Sequence, residues 1–161
     1  MAISIISLNQ LVKLMRDFSN ANLFLNDFGF GNTSEIGTSR QMEFPYMWVT
    51  PQPSTINNLN KVTTPNYNFT IIFADRINDE INVGDNNGEE SNNGLEVLSD
   101  TFQIAQDFLT YVNANWGQYG ILFNLEDVTI SPTIDGTDDK INGWAMDIII
   151  KTKFVNCVLP I

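Results

Sequence analysis

The segment Tyr67-Asn-Phe-Thr-Ile-Ile-Phe73 is the clearest β-strand signal in the sequence. Every second residue is large and apolar, and these side chains fall on one side of an extended chain: Tyr67, Phe69, Ile71 and Phe73. An apolar period of two predicts a β-strand with one buried face. The sequence on either side must therefore supply further strands and the elements that cover this face.

Other segments of the chain are also predicted to be extended. Phe44-Pro-Tyr-Met-Trp-Val49 is rich in strand formers, and its proline favours an edge position in the sheet. Residues 121–130 and 143–154 are predicted to be the last two strands, and a weaker extended segment runs through 24–30. Together with Tyr67–Phe73, these segments are enough for a sheet.

Two amphipathic helices are predicted. Ser7 and Gln10 have the spacing of a capping box, and the apolar residues after them form one helical face that ends near 20–22. A longer helix is expected to begin at Asn93 and to end at Gly117 and Gly120. Its apolar stripe is Leu98, Phe102, Ala105, Leu109, Val112 and Trp116, widened by Ile104, Phe108 and Tyr111. A face this wide predicts a helix that lies across a sheet.

The connections are predicted to be long and polar. Residues 51–65 are Asn-rich and bounded by prolines, which is typical of a loop. Residues 79–93 and the turn 135–139 are acidic. The order of elements predicts a single α+β domain over residues 1–161, with an antiparallel or mixed β-sheet covered by two helices.

Charge limits the partners of this chain. Its 19 acidic and 8 basic side chains give a net charge of −11. Nucleic acid is held chiefly by Lys and Arg, so we expect the chain to repel it. No apolar run approaches the roughly 18 residues of a membrane span. The start of the chain lacks the basic region of a signal peptide, and the single cysteine, Cys157, permits no internal disulfide.

Few residues with catalytic chemistry are present. The absence of histidine removes the usual general base and the commonest transition-metal ligand. A pair of carboxylates remains a possible acid–base site, but spacing selects no pair from the candidates Asp75, Glu126, Asp127, Asp138, Asp139 and Asp147. The run 85–90 contains calcium-type oxygen ligands without EF-hand spacing, so a solvated loop is the better interpretation. We therefore predict no catalytic, cofactor or metal site.

Several segments in a particular order carry a resemblance to a known family. They are Leu14-Met-Arg-Asp17, Asn26-Asp-Phe-Gly-Phe-Gly31, Phe44–Val49, Tyr67–Arg76, Glu96-Val-Leu-Ser-Asp100 with Ile104, Asp107 and Phe108, Asp139–Asp147 around Gly143-Trp144, and Cys157-Val-Leu-Pro160. In this order the segments resemble the neck and tail-completion proteins of tailed bacteriophages, including those of crAss-like phages and other phages of Bacteroidetes hosts. The insert 79–93 departs from that pattern.

The resemblance implies a tail terminator-like subunit of the virion, made in the host cytoplasm. Such subunits form six- or twelve-fold rings between portal or adaptor proteins and the tail, and they have no catalytic residues. We expect the neighbouring subunits to meet along 51–65, along 79–93 and at a free sheet edge such as 44–49. The candidate interface residues are Phe44, Tyr46, Trp48, Ile56 and Leu59. The candidate channel-facing or loop acids are Asp85, Glu89, Glu90, Asp135, Asp138 and Asp139.

The charge agrees with this role, because an acidic channel wall lowers the affinity for the DNA that passes through it. Two other functions stay open. One is an acidic binding module, such as an inhibitor or immunity-type protein that blocks a basic partner. The other is a carboxylate-dependent hydrolase.

Overall fold

The structure, a computed structural model, describes residues 7–36, 41–59, 62–77, 93–119, 121–123, 128–134 and 141–152. Two α-helices and six strands follow one another along the chain. They are α1 (Leu8–Ala21), β1 (Asp27–Phe30), β2 (Tyr46–Leu59), β3 (Val62–Arg76), α2 (Gly94–Asn115), β4 (Ile121–Phe123), β5 (Thr129–Ile134) and β6 (Ile141–Thr152). Short 3₁₀ helices lie at Thr33–Glu35 and Trp116–Tyr119.

The six strands form one mixed sheet in the order β1-β2-β3-β6-β4, and β5 pairs with β6 on the same side as β4. Strands β1 and β2 run parallel, and the other pairs are antiparallel. The predicted α+β fold with a mixed sheet is therefore confirmed. The single strand predicted over 121–130 is wrong, because β4 and β5 are separate strands that pair with different parts of β6.

Both helices pack on one face of the sheet. The alternating residues of β3 supply the centre of this face, since Phe69, Ile71 and Phe73 are buried. Phe108 of α2 is at the centre of the aromatic packing, with its ring centroid 5.1 Å from that of Phe18 in α1 and 5.9 Å from that of Phe73. The buried line of α2 includes Ile104, Phe108 and Val112, with half-buried residues of the predicted stripe beside it.

The start of α1 has the predicted capping box. The Ser7 hydroxyl accepts a hydrogen bond from the Gln10 backbone N–H at 3.3 Å, and the Gln10 side-chain oxygen accepts one from the Ser7 N–H at 2.8 Å. The helix ends at Ala21, as predicted, and its buried face includes Leu11, Met15 and Phe18. Helix α2 begins after Asn93, as predicted, without a capping hydrogen bond from the Asn93 side chain.

The other face of the sheet carries a small apolar cluster near β1. Its buried members are Met42, Tyr46, Trp48 and Ala74. The Trp48 indole N–H donates to the Gly31 carbonyl at 3.1 Å, and the Trp48 ring lies directly over Gly29. The segment Tyr46–Val49 pairs with β1 on one side and β3 on the other, so the predicted free edge at 44–49 is wrong. Pro45 lies just before β2, and Pro51 lies beyond the last residue of β2 that pairs with β1. Neither proline therefore marks an edge at 46–49.

The predicted loop over 51–65 is also wrong, because most of this stretch is a β-hairpin. Strands β2 and β3 pair from Tyr46–Ala74 out to Leu59–Val62, with an irregularity between Gln52 and Thr55. Pro51 and Pro53 are tolerated since β1 ends opposite Val49 and requires no hydrogen bonds from this part of β2. A proline-rich and Asn-rich strand is compatible with an exposed ribbon that has few partners.

Candidate interaction surfaces

The most distinctive surface is the end of the β2–β3 hairpin, which we call the arm (residues 53–59 and 62–65). Strand β6 pairs with β3 only from Asn66 onward, and β1 pairs with β2 only as far as Val49. Among the described strands, none pairs with the ribbon beyond Asn66. From Thr55 to Leu59 the ribbon spans about 14 Å at roughly 3.4 Å per residue. Within the described residues, the arm therefore extends beyond the rest of the sheet as two strands.

Hydrogen bonds hold the arm at its base. The Asn68 side-chain amide donates to the Pro53 carbonyl at 2.8 Å, and the Asn68 backbone N–H donates to the Ser54 hydroxyl at 3.2 Å. The Asn66 amide donates to the Thr55 hydroxyl at 3.3 Å. These bonds surround the irregularity in β2 and set the direction in which the arm leaves the sheet.

The first residues of the arm are exposed, and its sequence is almost uncharged. Residues 51–56 are all exposed, and Ile56 retains 72% of its accessible surface. Lys61 is the only charged residue between 53 and 65. The rest of the chain therefore has a net charge of −12, and Lys61 brings the total to −11. Pro53 and Pro65 lack the N–H groups that would pair with an added strand, which protects the arm from unspecific edge pairing. Contacts made by the arm are therefore expected to use side chains.

A second surface is the groove between α1 and β1. Two adjoining cavities of about 590 and 450 Å³ run along α1 and share the residues Arg16 and Phe28. The Arg16 guanidinium lies over the Phe28 ring, 5.4 Å from its centroid. Leu8 and Phe30 border the larger cavity and are 40% and 38% exposed. The short strand β1 forms this end of the sheet, so the groove follows an edge.

The sheet face opposite the helices is a third, polar surface. Thr70 pairs with Thr50 on one side and Asp147 on the other, and Thr129 pairs with Asp147, which makes a row across four strands. The Thr70 hydroxyl donates to the Asp147 carboxylate at 2.6 Å and accepts from the Gln52 amide at 3.1 Å. Ile149 on this face is 51% exposed. These hydrogen bonds between neighbouring strands fix the positions of the polar side chains on this face.

The structure separates the candidate interface residues. Tyr46 and Trp48 are buried, so their prediction as contact residues is wrong: they pack in the small cluster instead. Phe44 is half-buried under the Arg76 guanidinium, 4.9 Å from its ring centroid. Ile56 is exposed on the arm as an interface residue requires, and the backbone of Leu59 pairs with Val62 near the tip. The side chain of Leu59 lies outside the described residues.

Of the candidate acids, the structure describes only Asp75 and Asp147. Asp85, Glu89, Glu90, Asp135, Asp138 and Asp139 lie outside the described residues, as do Glu126 and Asp127. Asp75 and Asp147 are on neighbouring strands, but their register places them on opposite faces of the sheet. These two carboxylates therefore cannot converge on one substrate.

Asp75 has a perturbed environment. Partial burial raises the pKa of its carboxyl above the ordinary value, and the nearby charge of Asp100 on α2 raises it further. A hydrogen bond from the Arg76 backbone N–H at 2.7 Å and the Arg76 charge oppose this rise in pKa. The net effect is a raised pKa, which indicates that the Asp75 carboxylate is partly removed from water near Asp100 of α2.

The described part of the chain contains no group of three or more acidic, Cys or His side chains that could hold a metal ion. No helix within it is long and apolar enough to cross a membrane. The whole chain matches no family model and no curated protein.

Proposed function

We propose that the chain is a structural subunit of a phage head-to-tail connector or tail. In this role it forms a six- or twelve-fold ring around the DNA channel, between portal or adaptor proteins and the tail proteins. The observation that carries the proposal is the arm, a two-stranded ribbon beside which the described residues place no third strand. The resemblance of the ordered sequence segments to phage neck proteins supplies the biological setting.

The arm has little to stabilise it within its own subunit. An isolated two-stranded hairpin is marginally stable in water, because it buries too little apolar surface to offset the entropy of ordering its backbone. An exposed Ile56 adds an apolar side chain that a single subunit does not cover. A neighbouring subunit that packs against the arm would supply both the missing support and the missing burial.

A ring of identical subunits needs two different surfaces on each copy. In a cyclic assembly with more than two subunits, one surface of a copy contacts another surface of the next. The arm and the α1–β1 groove share no residue, so one copy can present both at once. This satisfies the geometric requirement of a head-to-tail contact.

The acidic charge suits a passage for DNA. Three acids of α2, Glu96, Asp100 and Asp107, are spaced so that they fall along one stripe of the helix. The segment Gly94–Asn115 contains no Lys or Arg to neutralise them. Within the described residues, this stripe is the acidic surface best suited to the channel wall, since a negative wall repels phosphate.

Purified phage particles provide the direct test. Quantitative mass spectrometry of particles made by the phage that encodes this chain should find it at about six or twelve copies per portal ring. Electron microscopy of the purified chain, alone and with the neighbouring neck proteins, should show closed rings. Absence of the chain from intact particles would contradict the proposal.

The alternative function is an acidic binding module for a basic partner. The same α2 stripe favours it, because unneutralised acids on a rigid helix can meet a basic surface. This function requires no ring and no place in the particle. Recovery of one basic enzyme at one-to-one stoichiometry by the purified chain, together with absence from particles, would select it.

A further inference from the structure

We infer that a protonated Asp75 side chain donates a hydrogen bond to the side-chain oxygen of Asn142, so that acid closes a contact between the end of β3 and the start of β6. The contact forms within one copy of the chain, and it is independent of the connector role. It makes this end of the sheet a pH-sensitive part of the fold.

The side-chain oxygen of Asn142 is buried without a hydrogen-bond donor. The residue retains 6% of its accessible surface, and among the described residues no donor reaches this oxygen. A carbonyl oxygen that leaves water without gaining a hydrogen bond carries an unfavourable free energy. A neighbouring group that can supply a proton would remove that penalty.

The pairing of the strands places Asp75 directly opposite Asn142. Asp75 is two residues beyond Phe73, which is buried against the helices. Asn142 is two residues before Trp144, whose indole N–H donates to the Leu98 carbonyl of α2 at 2.8 Å. Directly opposite side chains on one face of an antiparallel pair have Cβ atoms about 4.5–5.5 Å apart. Asp75 and Asn142 are therefore neighbours on the face that the helices cover.

The Asp75 carboxyl group has one oxygen bonded and one available. Its Oδ1 atom accepts from the Arg76 backbone N–H at 2.7 Å, and the described residues make no other hydrogen bond to this carboxyl group. While the carboxyl group is ionised, its oxygens and the Asn142 oxygen are all acceptors, which cannot bond to one another. A proton taken up from water turns Oδ2 into an O–H donor, and this donor supplies what the Asn142 oxygen lacks.

The surroundings of Asp75 favour the protonated form. Partial burial raises the pKa of its carboxyl, and the charge of Asp100 on α2 raises it further. The Arg76 charge opposes this rise in pKa, but its guanidinium lies over the Phe44 ring, in the cluster on the other face of the sheet. Within the described residues these are the charges that act on Asp75, and β6 places only the neutral Asn142 opposite it. The contact therefore closes at a higher pH than an exposed carboxyl group would allow.

NMR of the intact chain tests the bond through the side-chain carbonyl carbon of Asn142, which moves downfield when its oxygen accepts a hydrogen bond. The variant Asp75→Asn can keep the bond from the Arg76 N–H through its oxygen, and its NH₂ group then takes the place of the protonated Oδ2. At pH 7 this variant should show the Asn142 carbon downfield of its position in the parent chain. The control is Asp100→Asn, which removes a nearby negative charge and should leave the Asn142 carbon in place.

Acidification of the parent chain gives a second measurement. The Asp75 carboxyl carbon and the Asn142 carbonyl carbon should titrate together, with one midpoint above 3.8, the ordinary pKa of this carboxyl. Asn68 is an internal reference, because its side-chain oxygen is also buried without a partner but belongs to the opposite face of the sheet. Its carbonyl carbon should not follow that midpoint.

Two results would overturn the contact. One is an Asn142 carbon that does not move with the titration of Asp75 or in Asp75→Asn. The other is an equal movement in Asp100→Asn, which would show a response to charge alone. Neither result bears on the connector role, since that role is tested on phage particles.

Discussion

At the scale of the residue, close contacts of glycine make the sharpest predictions. A Cβ added to Gly143 would lie 2.0 Å from the Phe73 carbonyl oxygen and 2.7 Å from the Ala74 Cα, and both obstacles are backbone atoms. Because Gly143 is opposite Ala74 in the β3–β6 pair, the two strands would have to separate locally. We expect Gly143→Ala to lower the free energy of unfolding by about 2–4 kcal/mol.

Chemical denaturation measures this loss, and the chain contains a matched control. Gly117 has no heavy atom within 4 Å of an added Cβ, so Gly117→Ala should change stability by less than about 1 kcal/mol. Gly29→Ala should also be destabilising, since an added Cβ would lie 2.1 Å from the ring of Trp48, which is buried and hydrogen-bonded to Gly31. Equal stabilities for the Gly143 and Gly117 variants would refute the close approach of β3 and β6.

Asp75 predicts a pH dependence whose sign differs from that of most carboxylates. Its raised pKa means that the folded chain binds more protons at this site than the unfolded chain does. The stability contribution of Asp75 therefore falls as pH rises from below the ordinary value of 3.8 through the raised pKa. Asp75→Asn should stabilise the chain at pH 7 and lose that advantage when the pH falls below about 4.

The size of the Asp75 effect is limited by its partial exposure, and we expect less than about 1 kcal/mol at pH 7. Thermal unfolding across a pH series measures it, with the exposed variant Glu43→Gln as the control for loss of one negative charge. Asn can still accept the hydrogen bond from the Arg76 N–H through its side-chain oxygen. A variant that is less stable than the parent chain at pH 7 would show that the charged carboxylate is favourable here.

At the scale of the element, the arm should be dispensable for folding and required for assembly. Replacing residues 56–65 by Asn-Gly joins Thr55 to Asn66 through a two-residue turn of the kind that suits a hairpin. The Thr55–Asn66 pair and the Asn68 bonds at the base are retained. We expect circular dichroism and the unfolding temperature to change little, while association between copies is lost.

A variant of the α1–β1 groove provides the comparison, because a ring needs a second surface besides the arm. Leu8→Asp places a charge beside the larger cavity at a side chain that is already 40% exposed, so the fold should tolerate it. Sedimentation velocity should find both variants less associated than the parent chain. If the shortened chain associates like the parent, the arm is not the contact between subunits.

Tyr67–Phe73 and the face of α1 were predictable because each buries one side against the core and so shows a regular apolar period. The arm shows no such period in the sequence, and its prolines and asparagines indicate a loop instead. The buried positions of Tyr46 and Trp48 depend on β1 and on the ring over Gly29, which are contacts that local sequence does not reveal.

The candidate surfaces were predictable only in part for the same reason. Ile56 was placed on an interface from the sequence, and the structure leaves it exposed on the arm. The α1–β1 groove was missed, because it forms between a helix and a strand of four residues whose pairing to β2 is a tertiary contact. Its one signal in the sequence is Leu8, an apolar residue at the very start of α1.

At the scale of the whole molecule, net charge governs how association responds to salt. Copies that each carry −11 repel one another over a screening length of about 10 Å at 0.1 M salt, which falls to about 3 Å at 1 M. A contact made by the nearly uncharged arm loses little attraction when charges are screened. We therefore expect association between copies to strengthen as NaCl rises from about 0.05 to 0.5 M.

Sedimentation velocity over this salt series measures the shift, and the chain with the shortened arm should stay unassociated throughout. The expected trend is the opposite of that of a DNA-binding protein, whose affinity falls steeply with salt because bound phosphate releases counterions. Duplex DNA added to the same samples should remain free at every salt concentration, since the body of the chain repels it. Association that weakens with salt would mean that attractive charge pairs hold the subunits together, and the nearly neutral arm could not then be the main contact.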